Sequence, residues 1–282
     1  MKKIRAEWDY ARVLIIAGSD SGGGAGIQAD LKTTMALGCY GMTAITAITA
    51  QNTRGVRAIQ ALPPELLAQQ IDAVAEDIGV DAVKIGMLHN AEVVRVVAAA
   101  IERHRFAKVV LDPVMVATSG DRLIAEETVD VIVHELFPRV SLITPNLDEA
   151  GWLLGRKLVS AEQLERAARD LQSLGAPAVL LKGGHLPGEE LVDLLLERGQ
   201  PIERWQSSRI ASRNTHGTGC TLSSAIACGL ALGLPLKDAV MQARAYVRRA
   251  LQEGAGAQLG QGHGPLNHGY APLAAIRLPR RS

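Results

Sequence analysis

The chain has 282 residues, of which 48% are hydrophobic and 21% charged, and its formal net charge is +1 at pH 7. This length and apolar content support a sizeable packed core. The near-zero charge, with no basic stripe and only 3% aromatic residues, argues against nucleic-acid binding and against electrostatic attachment to a membrane surface.

Cysteine usage and hydropathy indicate the compartment. The three cysteines, Cys39, Cys220 and Cys228, form no CxxC pair, and an odd number in a chain of this size is typical of reduced thiols. The apolar run 13–17 is too short for a secretory signal. Residues 219–236 are apolar, but hydroxyl side chains at one end and glycine and proline at the other argue against a membrane span. We expect a cytoplasmic protein.

Short apolar runs predict strands that are buried on both faces, as in a parallel sheet covered by helices. They are residues 12–17, 42–49, 82–85, 108–111, 140–143, 178–181 and 191–196. Amphipathic or capped segments between them predict helices over 64–78, 91–104, 161–174, 219–232 and 236–252. Asn90 is a good N-cap, and Ser160 with Gln163 has the spacing of a capping box before Gly175.

The alternation of strands and helices predicts a three-layer α/β/α fold around a mostly parallel sheet. No repeat, low-complexity tract or linker divides the sequence. We therefore expect a single domain over 1–282, with its core at about 12–270.

Polar residues follow most of the predicted strands. Because ligands bind beyond the carboxyl ends of strands in open parallel sheets, these residues are candidates for one site. They are Asp20, Gln51, Asn52, Met87, Asp112, Asn146, Glu149 and Lys182, with Met87 the apolar member of the set.

The stretch AGSDSGGGAGIQADLK at 17–32 predicts a strand, a glycine-rich turn and a helix. Glycines let backbone N–H groups approach a ligand, but they also serve a tight turn. The stretch lacks the GK[ST] ending of a Walker A loop and does not match GxGxxG. A phosphate loop and a simple turn both remain open.

Two further motifs also have two interpretations. In TPNLDE, Asn146 and Glu149 have the spacing to hold a hydrated Mg²⁺, or to cap a helix. In LLKGGH, Lys182 suits a phosphate or a solvated surface, and His185 suits a ligand or a loop residue.

The stretch NTHGTGC at 214–220 precedes a helix rich in small residues. Gly217, Gly219 and Cys220 place free N–H groups at the positive end of that helix, which is a natural anion site, and Thr215 adds a hydroxyl. An anion site, a candidate Mg²⁺ pair and a lysine at one sheet edge together fit phosphoryl transfer.

Eight stretches, in order, resemble those of the hydroxymethylpyrimidine/phosphomethylpyrimidine kinases of the ribokinase-like superfamily: AGSDSGGGAGIQADLKT, AQNT, KIGML, LDPVMVATSGD, LITPNLDEA, LLKGGH, NTHGTGCTLSSAIA and GHGPLNH. The resemblance implies an ATP- and Mg²⁺-dependent kinase of thiamine biosynthesis. Such a kinase phosphorylates the 5-hydroxymethyl group of 4-amino-5-hydroxymethyl-2-methylpyrimidine, and then converts the monophosphate to the diphosphate. It also implies a homodimer.

The resemblance assigns roles to matching positions. It places Gly18, Asp30 and Gln51 in the pyrimidine site, with Met87 and Val114 as its apolar walls. It assigns Asn146, Lys182, Thr215 and Gly217 to nucleotide phosphates and Glu149 to the metal, with Asp112 as a further metal group. Gly217, Gly219 and Cys220 form the anion hole, and the catalytic set is Cys220, Gly217, Gly219 and Lys182. Thr118 stands where many members have lysine, so that phosphate contact is in doubt.

Cys220 occupies the position where most ribokinase-like sugar kinases carry an aspartate base. We hypothesise that a mostly neutral thiol accommodates both a hydroxyl acceptor and an ionised phosphate acceptor, and that the helix N-terminus lowers its pKa enough for modest base catalysis. A residue that acts only through its backbone N–H is the alternative. For the whole chain, the alternatives are a pyridoxal kinase and a non-catalytic pyrimidine-binding sensor.

Overall fold

Strands and helices alternate along the chain in this computed structural model, which describes residues 7–115, 124–158, 160, 163–184 and 189–280. The strands are β1 (Trp8–Asp9), β2 (Arg12–Asp20), β3 (Tyr40–Asn52), β4 (Gly55–Ala61), β5 (Ala82–Ile85), β6 (Val109–Leu111), β7 (Leu142–Ile143), β8 (Ala178–Lys182), β9 (Glu190–Glu197), β10 (Glu203–Ser208) and β11 (Leu278–Pro279). The helices are α1 (Gly26–Ala36), α2 (Pro64–Asp77), α3 (Ala91–His104), α4 (Glu126–Val131), α5 (Leu147–Leu153), α6 (Leu164–Ser173), α7 (Thr218–Ala231) and α8 (Leu236–Gly254).

Nine strands form one sheet in the order β10-β9-β8-β7-β6-β5-β2-β3-β4. The six strands from β8 to β3 pair in parallel, and β4, β9 and β10 join antiparallel at the two edges. The predicted mostly parallel α/β fold is therefore confirmed. Because the six central strands run the same way, their carboxyl ends open at one edge of the sheet.

Successive side chains of β2 face opposite layers, as the two-residue period of a strand requires. Leu14 and Ile16 pack in the core that includes Val93 of α3, whereas Val13 and Ile15 pack in the core that includes Ile226 of α7. All four β2 side chains are fully buried. Burial on both faces explains why this strand is an apolar run without alternation.

Helix α7 lies deep in the second layer, and every residue from Thr221 to Ala231 is buried. Its small side chains allow close approach to the sheet and to α8. A Cβ at Gly229 would lie 2.8 Å from the Cβ of Ala239, so glycine is required for this contact. The close packing fixes the position of the amino end of α7, which reaches the carboxyl edge of the sheet.

The predicted elements are found, with shifted bounds. The strands predicted at 12–17 and 42–49 extend over Arg12–Asp20 and Tyr40–Asn52, and the one predicted at 140–143 shortens to Leu142–Ile143. The helix predicted at 161–174 begins at Leu164, and residues 161 and 162 lie outside the described residues. The edge strands β4 and β10 were not predicted.

Within the described part of the chain, no helix combines the length and the hydropathy that crossing a bilayer requires.

The N-cap of α3 gives a stability prediction. The Asn90 side chain accepts a hydrogen bond from the N–H of Val93 at 3.0 Å. We expect Asn90→Ala to lower the free energy of unfolding by about 1 kcal/mol, because one helical N–H loses its acceptor. Urea unfolding measures this change. Asn90→Asp keeps a cap acceptor and should remain near wild type; an equal loss in both variants would contradict the capping role.

Candidate active site

A cavity of about 730 Å³ opens at the carboxyl edge of the parallel strands. Most residues predicted for the site line it, although they come from distant parts of the chain. These are Gly18, Gln51, Met87, Asp112, Val114, Asn146, Glu149, Lys182, Thr215, Gly217, Gly219 and Cys220. Thr118 and His185, which the sequence also singled out, lie outside the described residues.

Asp30 requires a correction, because it does not line the cavity. It is fully buried on α1, where Oδ2 accepts a hydrogen bond from Lys84 Nζ at 2.7 Å and Oδ1 accepts one from Ser224 Oγ at 2.6 Å. The cavity-lining partner of this pair is Lys84, which the sequence analysis did not select. Asp30 is therefore placed to act on the site through Lys84 rather than by contact with a substrate.

The glycine-rich turn after β2 wraps around a carboxylate of the protein itself. Asp20 accepts hydrogen bonds from the N–H groups of Gly22, Gly24 and Ala25 at 2.8, 3.1 and 2.9 Å. These donors are consumed internally, which favours the tight-turn interpretation of AGSDSGGG over a phosphate loop. His216 Nε2 also lies 2.9 Å from Asp20 Oδ2, so the same carboxylate joins this turn to the segment before α7.

The electrostatics of Asp20 follow from these contacts. Burial alone would raise the pKa of Asp20, but hydrogen bonds from His216, Ala25 and Gly22 outweigh it and the pKa lies below its ordinary value. The carboxylate is thus ionised at neutral pH. It acts as a fixed anion that organises the two loops.

The turn before α7 has the geometry expected of an anion site. Gly217 has a φ of +82°, and a Cβ there would lie 1.9 Å from the carbonyl oxygen of Gly24, so only glycine fits. No carbonyl of the described residues accepts a hydrogen bond from the N–H of Gly219 or Cys220. These two donors, at the positive end of α7, are available to an anion.

The chain segment after α8 braces that turn from outside. The N–H of His216 donates to the carbonyl of Gly264 at 3.0 Å, and Asn214 Nδ2 donates to the carbonyls of Gly254 and Ala257. Gly262 in turn donates from its N–H to Thr53 Oγ1 at 3.2 Å, beyond the end of β3.

Lys182 and Asp112 form an ion pair beside the anion site. Lys182 Nζ lies 3.0 Å from Asp112 Oδ1, which also accepts from Thr144 Oγ1 at 3.0 Å. Ser223 Oγ lies 3.4 Å from Asp112 Oδ2. Both carboxylate oxygens of Asp112 therefore have protein donors, and its role as a further metal group stays a prediction. Lys182 is held where its charge faces the N-terminus of α7.

Asn146 and Glu149 form a capping box at the start of α5. Asn146 Oδ1 accepts from the N–H of Glu149 at 2.9 Å, and Glu149 Oε2 accepts from the N–H of Asn146 at 2.8 Å. The helix-cap interpretation is thus correct, and the same residues also line the cavity. Burial, only partly offset by Lys182, raises the pKa of Glu149 to about 7. A cation beside Glu149 would offset the cost of burying its charged carboxylate and would lower its pKa.

Gln51 lines the cavity from the carboxyl end of β3. Its Oε1 accepts from Thr49 Oγ1 at 3.1 Å, and its Nε2 lies 3.5 Å from His216 Nε2. Gly18 and Met87, which also line the cavity, pack against each other, since a Cβ at Gly18 would lie 2.5 Å from Met87 Cε. The cavity lining thus combines the polar groups around Gln51 with the apolar side chains of Met87 and Val114.

A further part of the cavity lining was not anticipated from the sequence. Its apolar surface comes from Ile210, Leu222, Val247 and Leu251. Arg244 stands at its rim, where Nε donates to Asp193 Oδ2 at 2.8 Å and the guanidinium stacks 5.1 Å from the Trp205 ring. A charged residue inside the amphipathic helix α8 gives no sign, in sequence alone, that it faces a ligand cavity.

Within the part of the chain that the structure describes, no three His, Cys, Asp or Glu side chains gather as a metal cluster. Mg²⁺ nevertheless needs few protein ligands, because it keeps several waters and binds through one or two carboxylates together with substrate phosphates. A buried carboxylate with a raised pKa, as at Glu149, fits such an ion.

At the carboxyl edge of this parallel sheet lie a helix N-terminus, a lysine and a buried carboxylate, Glu149, with a raised pKa. This combination defines a phosphotransferase of the α/β class. The comparisons with known proteins give the family. The sequence profile described as phosphomethylpyrimidine kinase matches residues 20–267, and the chain belongs to this family.

Relatives with this description are similar over nearly the whole chain. The hydroxymethylpyrimidine/phosphomethylpyrimidine kinase of Rhizobium meliloti is 51% identical over 92% of this chain and 97% of its own length, and that of Escherichia coli is 44% identical over 96% and 99%. The thiamine biosynthesis bifunctional protein ThiED of Geobacter sulfurreducens is also 51% identical, but this chain spans only 53% of it.

Solved structures agree on the ribokinase-like fold. The ADP complex of Bacillus subtilis pyridoxal kinase has a TM-score of 0.85 at 36% identity, covering 92% of this chain and 98% of that one. Phosphomethylpyrimidine kinase from Clostridium difficile has a TM-score of 0.75 at 42% identity, covering 85% and 98%.

The Asp20 carboxylate gives a pH-dependent prediction. Its folded-state pKa lies below the ordinary value, so its stabilising effect is present above the unfolded-state pKa and is lost as the pH falls through the folded-state pKa. We expect Asp20→Asn to lower the free energy of unfolding by about 1–3 kcal/mol at neutral pH. The difference from wild type should shrink in acid.

Urea unfolding over a pH series measures this difference. Asp77→Asn, at an exposed position near the end of α2, removes the same charge without these hydrogen bonds and should have little effect. A destabilisation by Asp20→Asn that does not change with pH would contradict the role of the ionised carboxylate.

Proposed function

We propose that this chain uses ATP to phosphorylate the 5-hydroxymethyl group of 4-amino-5-hydroxymethyl-2-methylpyrimidine, and then converts the monophosphate to the diphosphate. This places it in thiamine biosynthesis, as the names of its relatives state for those proteins. The observation that carries the proposal is that the N-terminus of α7, the amide of Gln51 and the apolar side chains of Val247 and Leu251 all line one cavity.

The cavity lining offers groups that suit two different molecules. Gln51 offers an amide that donates and accepts, which matches a ring nitrogen and its neighbouring amino group, and Met87 and Val114 supply apolar walls for the ring. The apolar side chains of Ile210, Val247 and Leu251 suit the adenine of ATP. The N–H groups of Gly219 and Cys220 and the ammonium of Lys182 would bind the phosphates.

Glu149 and Asn146 would hold Mg²⁺ through the carboxylate and through bound waters, and the ion supplies neutralisation of phosphate charge when bound. Thr215 adds a hydroxyl at the phosphate position. The capping box keeps both side chains at fixed angles, because each is hydrogen-bonded to the backbone of the other. The helix cap and the metal role are therefore compatible.

Cys220 is predominantly a neutral thiol in the free protein. Burial raises the pKa of its thiol to about 11, although Lys84 and the N–H of Gly26 act in the opposite direction. This direction is opposite to the lowered pKa hypothesised from the sequence, and it agrees with the neutral resting thiol. A neutral group does not repel a phosphate acceptor in the second step. In the first step, the small thiolate fraction serves as the base for the hydroxyl proton.

Substitutions at Cys220 test whether the residue acts as a base in the first step and as a neutral group in the second. We expect Cys220→Ala to slow the first phosphorylation by about tenfold to hundredfold, because the base is lost, and to leave the second nearly unchanged. Cys220→Asp should impair the second step more than the first, because a fixed carboxylate repels the phosphate acceptor. Single-turnover kinetics with each acceptor separates the steps.

Cys220→Ser is the matched control of nearly equal size. Full rates for Cys220→Ala in both steps would instead assign the function of this position to its backbone N–H. Equal losses in both steps for Cys220→Asp would contradict the repulsion argument.

A product assay tests the proposed substrates directly. Purified protein with Mg-ATP is offered the hydroxymethylpyrimidine, its monophosphate, or pyridoxal, and products are identified by mass spectrometry. We expect the pyrimidine diphosphate from either pyrimidine substrate. The similarity to pyridoxal kinase structures makes pyridoxal the relevant competitor. Pyridoxal phosphate as the only product would overturn the proposal and direct attention to Gln51.

We also propose a cytoplasmic location, a single kinase domain and a homodimer. The three cysteines are free, which suits a reducing compartment. Light scattering of the purified protein tests the oligomeric state, and a monomer at all concentrations would contradict the dimer.

A further inference from the structure

A fully buried lysine of the central sheet lies against the same cavity. Lys84 lies on β5, and its side chain has no solvent exposure. It shares its face of the strand with Ala82, which packs in the core layer that contains α7. Its ammonium donates one hydrogen bond, to Asp30 Oδ2 at 2.7 Å. An ammonium has three N–H groups, and among the described residues no acceptor is hydrogen-bonded to the other two.

The surroundings of the Lys84 ammonium keep it close to the site. A Cβ at Gly86 would lie 2.9 Å from Lys84 Nζ, so the glycine leaves room for the charge next to the strand. Lys84 is among the residues that line the cavity. Charges are buried in this way at a large desolvation cost unless a partner compensates, and Asp30 is that partner. An apolar residue at this position would be buried without that desolvation cost.

Cys220 lies one helical turn before Ser224, and residues four apart share a helix face. Ser224 donates to Asp30 at 2.6 Å, so the face of α7 that carries Cys220 is turned toward the Lys84–Asp30 pair. Cys220 lies in the first turn of α7 and lines the same cavity as Lys84 and as Gly26, the first residue of α1.

Four charged groups act on the Cys220 thiol. They are Lys84 on β5, Asp30 on α1, Asp112 after β6 and Lys182 at the end of β8. Burial raises the pKa of the thiol most, the carboxylates of Asp30 and Asp112 raise it further, and Lys84 lowers it. The effect is reciprocal: burial would lower the pKa of Lys84, but Asp30, Cys220 and Asp112 outweigh burial and raise it.

We propose that Lys84 is a positioning residue whose buried ammonium stabilises the thiolate of Cys220, with Asp30 as the group that limits the effect. When Cys220 takes the proton of the acceptor hydroxyl, the Cys220 sulfur passes from thiolate to thiol and the pair Lys84–Asp30 keeps its charges. The base role in this cycle rests on the proposed function, whereas the coupling between Lys84 and Cys220 does not.

Alkylation measures the thiolate directly, because iodoacetamide is uncharged and reacts with the thiolate form. The rate is recorded over a pH series for Asp30→Asn and for the double variant Lys84→Met/Asp30→Asn. Both have a neutral residue at 30, so they differ only at position 84, where methionine has nearly the length of the lysine stem but no ammonium. Cys220→Ala gives the background from Cys39 and Cys228, which are both buried.

We expect Asp30→Asn to be alkylated faster than wild type at a fixed pH, because the carboxylate that opposes the thiolate is gone. The double variant should be alkylated about tenfold more slowly than Asp30→Asn, which corresponds to a shift of about one pKa unit. A loosened structure would expose the thiol and accelerate both variants, so the opposite signs distinguish charge from structural damage. Equal rates and pH profiles for the two variants would overturn the proposal.

If the double variant does not fold, Lys84→Gln/Asp30→Asn, whose two amides can hydrogen-bond to each other, replaces it. Slower alkylation than in Asp30→Asn at an unchanged melting temperature supports the charge coupling, and an unchanged pH profile overturns it. The first-step rate of the same variants is measured separately. A shifted alkylation profile together with full first-step activity in Cys220→Ala would leave the coupling intact and refute only the base role of Cys220.

Discussion

The ionised carboxylate of Asp20 is the interaction on which the cavity depends. It accepts three backbone N–H groups of the glycine-rich turn and lies 2.9 Å from His216, so one buried charge joins the end of β2 to the segment before α7. That junction lets Gly217 approach Gly24 so closely that no side chain fits between them. The free N–H groups at the start of α7 then face the cavity. An anion of the protein thus organises the site for an anion of the substrate.

A second buried pair lies beneath the same site. Asp30 and Lys84 have no solvent exposure, and Ser224 completes the hydrogen bonding of the carboxylate. Ion pairs in such places rarely add stability, since desolvation offsets their attraction. Their presence is better explained by the electric field that they impose on Cys220, one turn from Ser224. Asp20 fixes the geometry of the site, whereas Lys84 and Asp30 set its charge.

The parallel core could be predicted because a strand that is buried on both faces has a continuous run of apolar residues in the sequence. Strands such as β2 and β5 are continuous apolar runs, and the helices between them carry caps such as Asn90. The edge strands β4 and β10 could not be found this way, because neither contains a fully buried residue: β10 is largely polar, and β4 mixes small, apolar and polar residues. Their pairing is set by the neighbouring strand rather than by local pattern.

Some residues of the site could likewise be predicted from the sequence, and others could not. Residues at the carboxyl ends of strands, such as Gln51 and Lys182, could be selected because topology alone brings them to one edge. Lys84 could not, because it sits inside the strand run AVKI and a lysine there gives no sign of its burial. Asp30 was assigned to the substrate by resemblance, and only the packing of α1 shows that its partners are Lys84 and Ser224.

The bracing of the α7 turn has a consequence for the order of folding. His216 contacts Asp20, 196 residues earlier, and its backbone is held by Gly264, near the other end of the chain. Contacts with such long sequence separation form late, because the loop entropy must be lost before they contribute. The sheet can assemble from successive strand–helix units while the anion-binding turn is still unformed. Catalytic competence should therefore be the last property that a refolding chain regains, after most of its secondary structure.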